Sequence, residues 1–301
     1  MSTALTTALK RKPINGWNLF WLLSLPMSGI MLVESLGVDM TSGQGVSHMI
    51  GFSVRFAVPL IFLVTAISSL QFLIPGPLPA WLLRNRKYIG LSFAVAMAWQ
   101  GLFIFSMSMF HRDYYYADIY LLRDEMEGST GYLFLAAMVI TSFSFARRHL
   151  SGRQWTVIHR TGLYFLFAYA FSVYWWNLSY YPDPQPVDHV FYWMGFLAFA
   201  SRIAAWGKKR RQRAARQAAD AITPPACKWL GVLLLVFGVA VAATGRQWRE
   251  AVTGFLTGPQ WSADMVLWLP YWPLEPFLSL FIVGFAALLL TATRSAKPGG
   301  A

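Results

Sequence analysis

Charge is what this sequence has least of. Asp, Glu, Lys and Arg make up 13% of its 301 residues, roughly half the share usual in a water-soluble domain. That shortage excludes an ordinary soluble enzyme. Cysteine is scarcer still: Cys227 stands alone, which excludes an internal disulfide and any cluster of thiolate ligands. It reads as a small apolar residue at a helix end. Phosphate-binding glycine loops, dinucleotide fingerprints, nucleophile elbows and zincin motifs are missing. No polar stretch approaches the ~100 residues of a flavin or nicotinamide domain, so any electrons this chain passes come from another protein.

Acidic residues number 13 against 25 basic ones, for a net charge of +12. In a soluble protein such a surplus points to nucleic acid. Here the Lys and Arg residues gather in alternate loops, the pattern that orients membrane proteins, so no nucleic-acid partner is expected.

What the chain does have is apolar and aromatic side chains, 56% and 17%. They gather into runs near the ~20 residues that cross a bilayer as a helix, and they lack the alternation of barrel strands. Eight helices are expected, over 17–37, 48–73, 88–109, 131–146, 157–176, 187–206, 228–244 and 276–293. The first reads as a membrane helix rather than a cleaved leader, and Pro26 predicts a kink in it. The fold class is an all-α integral membrane protein. A six-helix core over 1–207 is followed by a basic linker over 208–226 and a two-helix extension over 227–301.

The loops set the expected orientation. Lys10, Arg11 and Lys12, then Arg84, Arg86 and Lys87, then Arg147, Arg148 and Arg153, then the basic run from Lys208 to Arg216, then Arg294 and Lys297 all fall on one side. The positive-inside rule makes that side cytoplasmic, with both termini there and the bundle in the inner (plasma) membrane. The 208–221 stretch reads as a surface helix or a linker that attracts anionic lipid. The opposite loops carry Asp39, Asp113, Asp118, Asp124, Glu125, Glu127, Asp183 and Asp188 among interfacial tyrosines. Arg246 and Arg249 break this pattern. The tryptophans around them place 246–273 on the outer surface, as an interfacial segment.

The sequence from Arg84 to Leu91, then Trp99-Gln100, then Arg147-Arg148-His149-Leu150, Trp155 and His159-Arg160 form an ordered set on successive helices. With Gly51 and Arg55 they resemble the ferric-reductase-like transmembrane family, most nearly its haem-bearing membrane subunit of periplasmic methionine sulfoxide reductase. The resemblance covers about residues 49–176. It implies a six-helix bundle that holds b-type haem between its third and fifth helices. It also implies ligand histidines at the positions of Gln100, His159 and Ser172. Only His159 matches. Gln100 lies ~18 Å along the third helix and Ser172 at a comparable depth on the fifth. Glutamine and serine are poor ligands for haem iron.

Met107 and His111 share a helical face with Gln100 and complete the candidate cofactor-binding set. Arg55 is the one candidate intramembrane charge; a cation at that depth needs a partner, for which Glu34 and the outer acidic loops are at hand. His48, His111 and His189 fall near outer aspartates, but their spacing matches no metal pattern, and no metal is expected. The sequence predicts a core without a cofactor, acting as an accessory subunit or small-ligand-binding scaffold in the lipid bilayer. The alternative is a haem b electron-transfer subunit working with a membrane or soluble redox partner.

Overall fold

The structure, a computed structural model, describes residues 2–217 and 222–293. Among them the regular structure is helical throughout. A short α1 (Ser2–Ala8) leads to α2 (Trp17–Gly37), α3 (Gly43–Leu73) and α4 (Pro77–Phe110). Short turns over 112–119 join α4 to α5 (Leu122–Ile140), and α6 (Gly152–Tyr180) and α7 (Pro186–Gln217) follow. The last part holds α8 (Pro225–Ala243), α9 (Gly245–Thr257), α10 (Trp261–Trp268) and α11 (Leu278–Leu290).

Each predicted helix has a counterpart, with corrected bounds. The third starts at Pro77, eleven residues before Tyr88, because Gly76-Pro77 supplies a helix start with proline in the first turn. Arg84, Arg86 and Lys87 are therefore helical and not in a loop. The fourth starts at Leu122 and stops at Ile140, so its first turns take in Arg123, Asp124, Glu125 and Glu127. The basic stretch from Lys208 continues α7 as far as Gln217. Residues 218–221, Arg294 and Lys297 lie outside the described part. The expected outer segment forms α9 and α10.

Among the described residues, four helices are long and apolar enough to cross a membrane: Trp17–Gly37, Gly43–Leu73, Pro77–Phe110 and Pro225–Ala243. Glu275–Leu290 is apolar but shorter. The first turns of α5 carry Arg123, Asp124, Glu125 and Glu127, which interrupt its apolar run. Pro26 and Pro59 lie inside α2 and α3.

The described residues fall into two compact units. The first runs to Gln71 and from Pro75 to Ala170; the second holds Phe72–Ile74 and the chain from Phe171. In the first, α2 packs along α4, and Ser24 reaches Ser92 across that contact at 3.3 Å. A cluster of Val46, Met49, Phe103 and Met107 closes α3 against α4. The bend before α3 needs glycine, since a Cβ on Gly45 would come within 2.0 Å of the Asp39 carbonyl oxygen. In the second unit, α8 and α11 pack through Gly231 and Gly238. Phe171 and Tyr192 stack between α6 and α7 at 5.3 Å.

Candidate functional site

The basic motif at the start of α4 does two jobs. Its first half latches the N-terminal segment. Asn85 is buried, accepts from the Gly16 amide at 2.9 Å and donates to the Asn15 side-chain oxygen at 3.0 Å. Arg84 donates to the same Asn15 oxygen and to the Leu9 carbonyl, both at 3.0 Å. The second half faces a corner built from the C-terminus of α5 and the N-terminus of α6. Arg86 donates to Ser68 at 3.2 Å. Lys87 stands 5.3 Å over the Phe143 ring.

His159 sits in this corner, half-buried. Its ring stacks on Trp155 at 4.2 Å, and its Nε2 lies 3.0 Å from the Thr141 hydroxyl. That hydroxyl lies 2.6 Å from the Ala137 carbonyl. A hydroxyl has one proton, and the carbonyl takes it at the shorter distance, so Thr141 accepts and the Nε2–H of His159 donates. That tautomer leaves the ring's lone pair on Nδ1. Trp155 also donates its indole N–H to the Thr141 carbonyl at 3.2 Å, which fixes the stack. Arg147 donates to the Leu150 carbonyl at 2.7 Å and stands 5.5 Å over Trp155.

The other candidates lie elsewhere. Gln100 is 9% exposed, and the Tyr132 hydroxyl, with one proton, stands between Gln100 Oε1 at 3.2 Å and the Met97 carbonyl at 3.1 Å. The Tyr132 ring closes against Gly101, where an added Cβ would meet it at 3.3 Å. Met107 is 1% exposed within the α3–α4 cluster. His111 caps α4 at its far end. Ser172 is buried in the second unit. Arg55 stands exposed on α3. Glu34 contacts His48 at 3.1 Å.

These residues do not fit a haem held by two axial ligands. The His159 ring is held by Thr141 and Trp155, Gln100 lies beside the Tyr132 hydroxyl, and Met107 belongs to an apolar cluster of α3 and α4. Among the described residues no three His, Cys, Asp or Glu side chains gather as a metal site.

The chain matches no family model, no curated protein and no solved structure.

One buried site escaped the sequence reading. Glu275 is 1% exposed, and its Oε1 accepts from Thr253 at 2.9 Å and from the Tyr180 hydroxyl at 3.2 Å. Arg249 lies 4.3 Å over the Tyr180 ring. The available signal was a carboxylate set between two prolines at the start of an apolar helix, where it meets the helix dipole.

Proposed function

We propose that this chain is a multi-pass integral membrane protein with a degenerate ferric-reductase-like core that holds no haem. It acts as an accessory subunit or small-ligand-binding scaffold. Membrane insertion is supported by the four apolar helices and by the side chains they turn outward. Leu25, Val33 and Leu36 of α2 and Trp229, Leu233 and Val236 of α8 are all more than half exposed. Water penalises such a surface, whereas lipid accepts it. The plasma membrane, with both termini cytoplasmic, is the placement that follows from the basic helix ends.

The observation that carries the reading is the state of His159. In the resemblance it is the one matching ligand, and here its Nε2 lies 3.0 Å from the Thr141 hydroxyl while Trp155 stacks on its ring. The experiment is an absorption spectrum of the chain purified from haem-replete cells. A colourless preparation supports the scaffold. A Soret band lost on His159→Ala refutes it and establishes the electron-transfer alternative.

A further inference from the structure

The basic run over 208–216 is an unbroken continuation of α7. Where it begins, its cations lie against rings of the same unit. Lys208 and Lys209 stand 5.2 and 4.9 Å over Phe72, and Arg210 stands 5.6 Å over Trp206. Aromatic and basic side chains mixed in this way belong at the headgroup level of a membrane helix. The helix then rises ~1.5 Å per residue, so Arg213 lies ~10 Å and Arg216 ~15 Å beyond Trp206 along the axis. A headgroup layer is only about 5–8 Å deep on each side of a bilayer, so both arginines stand past it.

Lys209, Arg213 and Arg216 follow one another four and three residues apart, which puts them on one face of α7. All three are exposed, and among the described residues no carboxylate forms an ion pair with them. The described acids of this unit are at the other end. Asp183 and Asp188 flank the start of α7, and Asp188 is ~30 Å from Lys209 along the helix. Glu250, Asp264 and Glu275 lie in the connection from α8 to α11, which Arg246, Thr253 and Glu275 tie to the end of α6. Exposed charges are screened beyond ~10 Å, so these acids do not neutralise the stripe. Asp220, outside the described residues, still leaves 208–220 at +5 (six basic residues less one acidic).

We propose that this face of α7 docks an acidic helix of a soluble protein partner. Charge complementarity sets the sign of the partner, and the spacing sets its shape: a helix with carboxylates four and three residues apart presents a stripe of the same length and straightness. Ion pairs between facing helices fix partner and orientation in this way. The anionic leaflet meets the first turn, at Lys208, but the stripe runs on into water. The inference rests on the accessory-subunit reading and gives the partner a chemical character.

The full chain is placed in nanodiscs of zwitterionic lipid and titrated against two labelled, helix-forming peptides of alanine and glutamate, read by fluorescence anisotropy. In one peptide the glutamates recur four and three residues apart on one face; in the other the same glutamates are spread around the helix. The aligned peptide is expected to bind about tenfold tighter, the combined effect of three exposed ion pairs. K209Q/R213Q/R216Q loses that preference. K10Q/R11Q/K12Q removes as much charge from the N-terminal segment and keeps it. Equal affinity of the wild type for both peptides marks diffuse attraction and overturns the proposal, and this comparison needs no variant to fold. An undiminished preference in K209Q/R213Q/R216Q overturns it too. The preference, a ratio from which general repulsion cancels, is measured again in nanodiscs containing anionic lipid; its collapse there shows that the leaflet holds the stripe and also overturns the proposal. A haem-free protein without the preference overturns the docking face alone, whereas a haem-bearing protein with it overturns the scaffold alone.

Discussion

Replacing Gly238 tests how the α8–α11 pair is held together. A Cβ built there lies 2.9 Å from Val283 Cγ2, 3.2 Å from Ile282 Cγ2 and 3.3 Å from the Ser279 carbonyl oxygen. Val283 is buried, and a β-branched side chain in a helix has essentially one χ1 rotamer, so it cannot swing aside. Relief must come from separating the helices. Overpacking of this kind costs about 1–3 kcal/mol. Alanine recovers about 1 kcal/mol of helix propensity over glycine, so Gly238→Ala loses a net ~1 kcal/mol. Gly238→Val adds two methyl groups to the same contact and recovers less propensity, for a loss of at least ~2 kcal/mol. Gly284 on α11 is the control, because nothing lies within 4 Å of its added Cβ. Gly284→Ala is expected to be neutral or stabilising. The assay is thermal unfolding in detergent, followed by tryptophan fluorescence. For a chain of this size 1 kcal/mol moves Tm by roughly 1.5–2 °C. Gly238→Val melting no lower than Gly284→Val refutes close helix contact at this glycine.

Three further outcomes follow from the geometry. Glu275→Gln keeps an oxygen for Tyr180 and Thr253 and changes stability by under ~1 kcal/mol, whereas Glu275→Ala strips the acceptor from two hydroxyls and leaves a void, costing about 2–4 kcal/mol; equal melting temperatures for the two variants contradict this. Tyr132→Phe removes the hydroxyl that stands between the Gln100 side chain and the Met97 carbonyl and lowers stability by about 1–3 kcal/mol in the same unfolding assay. The Thr41 hydroxyl and amide hold the Asp39 carboxyl below its usual 3.8. A depressed carboxylate stabilises the turn above that usual value, and the contribution disappears as pH falls through the lowered one. Thr41→Val brings the Asp39 carboxyl closer to 3.8 in a carbon-13 titration; an unchanged midpoint excludes the hydroxyl as the cause.

Much of the fold was legible because apolar run length is a direct physical requirement. A helix long enough to span lipid must show that length in sequence, and α2, α3, α4 and α8 do. What the runs hid was where charged residues remain helical. Arg84 to Lys87 read as a loop, but Asn85 and Arg84 find partners on the Asn15 side chain and the Leu9 carbonyl, roughly 70 positions earlier. Such a latch has no local signature. His159 was legible as a candidate; its state was not. That depends on Thr141, which the 142–151 turn brings back to it. Glu275 was missed because its neighbours Pro273 and Pro276 look like loop residues, while its burial comes from Tyr180 and Thr253 far away in sequence.

The haem content of the purified chain tests the central claim most directly. A pyridine haemochrome assay on protein from haem-replete cells is expected to find no stoichiometric b-type haem, because Thr141 and Trp155 already hold the His159 imidazole. One haem per chain, lost when His159 is replaced by alanine, would contradict the account.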